Sequence, residues 1–183
     1  MDSNTYDVVV VGAGHAGCEA ALASARLGAR TALLTMDRSA IARMSCNPSI
    51  GGMAKSHIVF EIDALGGEMA KNTDYTGIQF RILNTRKGPA VQANRVQCDK
   101  AAYSARMVSI IGQTANLDIV EGIVSEIVTK DGKVCGIRIA GGGGIECRSL
   151  VVTPGTFLSG AIFIAIKTFP GGRMGEKASE DLS

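Results

Sequence analysis

The sequence predicts an α/β fold built on a Rossmann-like dinucleotide-binding unit, and three observations carry that expectation. Four valines, Val8 to Val11, make a short apolar run that enters Gly12-Ala13-Gly14-His15-Ala16-Gly17, a G-x-G-x-x-G turn. An alanine-rich stretch, Cys18 to Leu27, has helical character and stops at Gly28. A second strand-like run, Arg30 to Thr35, then arrives at the spacing of a β-α-β unit. Glycine-rich turns are common, so the strand before this one and the helix after it are what give it chemical meaning.

Each glycine has a separate task. Gly12 permits the tight strand-to-helix turn, Gly14 lets a pyrophosphate approach the backbone, and Gly17 lets the helix pack closely on the sheet. The helix N-terminus offers N–H groups and the positive end of its dipole to phosphate. His15 and Ala16 complete the turn, with His15 placed to shield it. The ribose-binding acid expected about 20 residues further on has no exact counterpart. Thr35 ends the second strand and can give one hydrogen bond, whereas Asp37, two residues later, has the carboxylate. A fingerprint this near the start of the chain favours FAD, by analogy of fold.

Further elements follow in order. Arg38 to Met53 reads as a loop, because Pro48 disfavours helix at Asn47. Ala54 to Met69 reads as a helix with Ile58, Ile62 and Leu65 on one face, ending at Gly66-Gly67. Ile78 to Leu83 is a strand, Asn84 to Ala93 a polar loop, and Arg95 to Gly112 a helix. From Leu117 the period changes. Leu117 to Glu121, Val124 to Thr129, Val134 to Ile139 and Ile145 to Arg148 are short strands, with Asp131-Gly132 and Gly141 to Gly144 as turns. Leu150 to Gly155 is a buried strand ending in a glycine turn, placed beside the first strand as in two-dinucleotide flavoproteins. The whole reads as one domain, 1–183, with an antiparallel β-meander inserted at about 117–149.

Composition narrows the classes. Among 183 residues, 46% are hydrophobic, with 23 glycines and 4 prolines, which suits an α/β protein rich in tight turns. A formal charge of +2 does not by itself indicate nucleic acid, and 4% aromatics without tryptophan exclude a base-stacking RNA module. Five cysteines form no C-x-x-C pair, and two histidines provide no zinc-ligand spacing, so no metal site is expected. The odd thiol count and the lack of a signal peptide point to a reducing cytoplasm. No apolar run approaches the ~18 residues that cross a bilayer.

Two loops carry unusual chemistry. Met44-Ser45-Cys46-Asn47-Pro48 places a thiol between Arg43 upstream and Lys55 and His57 downstream. Cationic neighbours lower a thiol pKa and make Cys46 a candidate nucleophile, with an inert loop cysteine as the plain alternative. Arg86-Lys87-Gly88-Pro89 presents two cations that suit a phosphate or the N1 edge of a reduced flavin, or simply solvent.

These segments occur together with Cys18-Glu19-Ala20-Ala21, Glu61 to Gly67, Gly77 to Asn84, Lys87 to Val91 and Gly155 to Leu158. In combination and in register over the whole chain, they closely resemble the glucose-inhibited division protein A family. The resemblance implies an FAD-dependent enzyme that adds the carboxymethylaminomethyl group to carbon five of the tRNA wobble uridine. It implies NADH as reductant of the FAD, methylenetetrahydrofolate as one-carbon donor, a GTPase partner and a homodimer. It puts the FAD pyrophosphate on Gly12 to Gly17, further flavin contacts on Val124 and Ser179, and an active-site cysteine on Cys46. It also implies that these residues are the N-terminal part of a longer chain, inactive alone. Departures from the family pattern are Gln92 and Asn94 where basic or hydroxyl residues are common, Ser56 for glycine, Phe163 for histidine, and Pro154. Alternatives are a folate-dependent tRNA uridine methyltransferase, a general FAD oxidoreductase, or a non-catalytic dinucleotide-binding module.

Overall fold

The computed structural model describes residues 4–45, 47–164 and 167–171. Strand β1 (Thr5–Val11) runs into helix α1 (His15–Arg26), and β2 (Thr31–Thr35) pairs parallel to β1. The main sheet has six strands in the order β6-β2-β1-β9-β8-β7, where β6 is Leu117–Glu121, β7 Val124–Lys130, β8 Lys133–Ile139 and β9 Gly144–Val152. β6, β2, β1 and β9 are mutually parallel, and β9-β8-β7 continue as an antiparallel meander. Val9 and Val10 are both fully buried, as a central parallel strand covered on both faces requires.

Two apolar clusters hold the sheet. On one face Leu22, Leu33 and Ile41 pack with Tyr103, Met107 and Ile111 of α4 (Lys100–Gln113). The opposite cluster is made of strand residues alone, among them Tyr6, Val9, Leu34, Val124, Ile137 and Cys147.

Four expectations are corrected. The meander does not begin at residue 117: β6 is the parallel edge strand beside β2, placed there by Leu33↔Ile119 and Leu34↔Val120 pairing. The strands expected at 145–148 and from 150 are one element, β9, which exchanges β8 for β1 as its partner around Glu146. The helix expected from Ala54 to Met69 is two, α2 (Lys55–Ala64) and α3 (Met69–Thr76). The break lies at Gly66, φ +89, where the chain leaves the helical region. The helix expected from Arg95 starts later, because residues Ala93–Cys98 form strand β5 and Asp99 caps α4 by accepting from the N–H groups of Ala101 and Ala102. β5 lies between β3 (Ser49–Gly51) and β4 (Gly77–Leu83) in a separate antiparallel sheet. A hairpin of β10 (Ala161–Ile164) and β11 (Lys167–Pro170) follows the main sheet.

Glu19 explains how α3 can start without a local cap. Its carboxylate, on α1, accepts from the backbone N–H groups of Glu68 and Met69. The acid stabilises the helix N-terminus as a capping side chain would, but from another helix. Glu68 in turn binds Arg26 at 2.7 Å and Arg106 at 3.0 Å, so α1, the α2–α3 turn and α4 are clamped together.

Ser56 is buried and its hydroxyl has no hydrogen-bond partner among the described residues. A polar group in that position costs stability, and alanine is also the better helix former. Ser56→Ala is expected to stabilise by about 1 kcal/mol, raising Tm by roughly 2–4 °C for a domain this size. A fall in Tm would contradict this account.

Candidate functional site: a cleft at the strand ends

The C-terminal ends of β1, β2 and β9, with the β6–β7 corner, enclose an open cleft of about 250 Å³. Ligands in open parallel sheets bind at this edge. The walls are the glycine turn (Val11 to Gly14), the end of β2 (Leu34 to Asp37), the Gly122-Ile123-Val124 corner and Thr153 to Leu158.

The glycine turn is fixed by tertiary contacts. Gly12 has φ +96, and its N–H donates to the Leu34 carbonyl at 2.9 Å. The Thr153 hydroxyl reaches both the Val11 and Gly12 carbonyls at 2.9 Å, and the Thr153 N–H donates to Val11 O at 2.8 Å. A Cβ at Gly12 would stand 2.3 Å from Thr153 O, and one at Gly17 would stand 1.7 Å from Gly12 O. Gly14 is different. It is exposed, forms the N-cap of α1 without a side-chain cap, and has no heavy atom within 4 Å of a Cβ placed on it. Two glycines of the motif are therefore demanded by the fold, and one faces open space.

Thr35 and Asp37 both line the cleft. Thr35 is buried, and its hydroxyl donates to Asp37 O at 3.0 Å. The Asp37 carboxylate accepts from Ser39 N–H and Ser39 Oγ, both at 2.7 Å, and lies 3.4 Å from Arg43 Nη2. The Ser39 hydrogen bonds, helped by Arg43, hold this carboxyl below the usual aspartate range. Val124, buried at the start of β7, lies on the cleft wall opposite the glycine turn.

Other candidate residues lie elsewhere. Gly17 and His15 face the helix side, the His15 ring sitting 5.5 Å from that of Tyr103. His15, Ala16 and Gly17 do not line the cleft, and neither do Arg86 and Lys87, which stand exposed in the β4–β5 loop. Cys46 and Ser179 lie outside the described residues. Burial pushes the Cys18 thiol up to about 12, and raises Cys98 and Cys147 as well, which disfavours their thiolate forms. Among the described residues, no group of three or more His, Cys, Asp or Glu side chains is placed to hold a metal, and no helix is long and apolar enough to cross a membrane.

Sequence reasoning placed the strand ending at Gly155 beside the first strand but missed Arg43, Met36 and the Gly122-Ile123 corner as walls of the cleft. Gly122, between two strand-like runs, was the available signal.

A sequence model of the glucose inhibited division protein A family matches residues 7–183. The chain belongs to this family. It is 54% identical over 178 residues to the tRNA uridine 5-carboxymethylaminomethyl modification enzyme MnmG of Geobacter sulfurreducens. That match covers 97% of this chain and 28% of the relative. The MnmG of Geobacter metallireducens is 56% identical, with the same coverage of both chains. The family member Aquifex aeolicus GidA superposes with TM-score 0.94 at 51% identity, over 99% of this chain and 30% of that one. A GidA-related protein from Thermus thermophilus shares the fold, with TM-score 0.63 at 19% identity, over 97% of this chain and 65% of its own. The chain thus spans a little over a quarter of the length of the curated relatives it matches.

Proposed function

We propose that this chain is the N-terminal, FAD-binding portion of an enzyme that installs the carboxymethylaminomethyl group on carbon five of the tRNA wobble uridine. The observation that carries the reading is 54% identity across nearly the whole chain to an enzyme named for that modification. The cleft supports the cofactor: open space at Gly14 beside the N-terminus of α1 fits a pyrophosphate. Gly12 to Gly14 and the backbone N–H groups at the start of α1 would hold that group, Thr35 and Asp37 the adenosine ribose, and Val124 and Ser179 the flavin end. FAD supplies redox chemistry when bound. NADH is the reductant and methylenetetrahydrofolate the one-carbon donor, and the homodimer works in the cytoplasm with a GTPase partner.

Cys46 is the nucleophile of this scheme. Its thiolate would add to carbon six of the pyrimidine, and the C5–C6 electron pair would attack the methylene carbon as its C–N bond to the folate breaks and the folate nitrogen takes that pair, the carboxymethylamino part coming from an amine that carries a carboxymethyl group. Loss of the carbon-five proton then expels the thiolate and restores the ring. Nucleoside mass spectrometry of tRNA tests both levels. Deleting the full-length gene is expected to abolish carboxymethylaminomethyl-type uridines, and Cys46→Ser is expected to match the deletion. An unchanged profile after deletion overturns the function; an unchanged profile in Cys46→Ser overturns only the role of the thiol.

A further inference from the structure

We propose that the three-stranded sheet β3-β5-β4 and its β4–β5 loop form a polyanion-binding face that takes the phosphate backbone of tRNA. This rests on the tRNA-modification reading above. The segment from Gly77 to Cys98 contains Arg81, Arg86, Lys87 and Arg95 and no Asp or Glu. It therefore carries +4 in a chain whose formal charge is +2.

Register brings two of these charges together. Arg81 lies directly opposite Arg95 in the antiparallel pair, and like charges so placed cost stability. Arg95 donates to Ser49 Oγ from Nε and Nη2 at 3.3 and 3.2 Å, a neutral partner that leaves the charge uncompensated. The next row across the sheet is Ser49, Gln97 and Gln79, all neutral hydrogen-bonding groups. Among the described residues, no carboxylate lies within ion-pair distance of Arg81, Arg86, Lys87 or Arg95. Exposed arginines in and beside the main sheet are treated otherwise: Arg38, in the turn after β2, faces Glu121, Arg138 faces Glu126 and Arg148 faces Asp7. Among the described residues, Arg81, Arg86 and Arg95 have no such carboxylate partner.

The loop is also built in advance of any ligand. Asn84 takes φ +59, a conformation asparagine tolerates, and its Nδ2 donates to Val91 O at 2.9 Å. The Lys87 N–H donates to Asn84 O at 2.8 Å, and Gln92 Nε2 donates to Lys87 O at 3.1 Å. Gln92, one of the departures from the family pattern, thus braces the loop and does not contact phosphate itself. A fixed loop presents Arg86 and Lys87 at little ordering cost on binding. Four cations with no ion-pair partner among the described residues, on a segment without an acid, match a run of phosphates.

The test is tRNA binding by the full-length protein across a salt series, comparing wild type with Arg81→Gln/Arg95→Gln and Arg86→Gln/Lys87→Gln. Each lost phosphate contact removes about 0.7–0.9 from the slope of log K against log salt. Each double variant is expected to flatten the slope by about 1.5 and to weaken binding about tenfold or more near 0.1 M salt. Arg81 is exposed and opposes a like charge, so its removal leaves Tm unchanged or higher. Wild-type slopes in both variants overturn this proposal and leave the functional reading intact. Failure of the wild type to bind tRNA overturns both.

Discussion

Gly17→Ala is expected to cost at least about 3 kcal/mol, the upper range for forcing extra volume into a packed site. The added Cβ would lie 1.7 Å from Gly12 O and 2.8 Å from Thr153 Oγ1. Gly12 O cannot yield alone, since it accepts from the Thr153 hydroxyl that ties the turn to β9. Helix α1 must therefore move off the sheet, and with it Cys18, Ala21 and Leu22 of the main core. Tm should fall by roughly 6–12 °C at 2–4 °C per kcal/mol, and FAD affinity should be lost with it. Gly14→Ala provides the contrast. Its φ of −70° suits alanine and its Cβ meets nothing within 4 Å, so Tm should hold while FAD binding weakens. Thermal melts with and without added FAD read both effects. A Gly17→Ala protein melting within a degree of wild type would refute the packing account.

The second large effect concerns Glu68. Burial alone would raise its pKa, but hydrogen bonds and charge from Arg26 and Arg106 outweigh burial and hold the carboxyl below the usual glutamate range. A folded-state pKa below the unfolded one contributes stability that is present above the unfolded pKa and lost as pH falls through the folded one. Wild-type stability should therefore decline from about pH 5 downward, the region where glutamate titrates. Glu68→Gln should be less stable at neutral pH by about 2–3 kcal/mol. That is below the 3–5 typical of a broken buried pair, because the arginines remain partly solvated. Its disadvantage should shrink on acidification, as the wild type loses the same charge. Denaturant melts at pH 7 and pH 4 decide the matter: a constant difference between the proteins would sink the linkage argument.

How much was legible follows from the range of the forces involved. β1, the glycine turn and α1 were read correctly because everything they need is local: an apolar run, three glycines and an alanine-rich helix. The cap on α3 was not, because it is the Glu19 carboxylate, about 50 residues distant. β5 was read as the start of a helix because Val96 suits the apolar face of α4 as well as it suits a strand. The decisive local signal was Asp99, whose side chain caps α4 so that it begins five residues later than expected. β6 looked like a meander strand because nothing in Leu117–Glu121 states that its partner is β2. In the site, Gly12 to Gly14 line the cleft as the local motif suggests and Val124, named through the family resemblance, lies on its wall, whereas Arg43 reaches the cleft beside Asp37, a contact the sequence does not announce.

The bond from Thr153 to the glycine turn sets the order in which this protein can fold as it is made. β1 and the residues of the turn are made before β9, which pairs with β1, and before Thr153, which closes the turn about 141 residues later. Until then β1 has only β2 beside it, and its other edge is an unpaired apolar strand. Such long-range parallel pairing is slow and leaves strand edges open during synthesis. The glycine turn is written ahead of the strand that closes it but takes shape only after that strand is made, and a nascent chain halted before residue 153 carries its signature without its geometry.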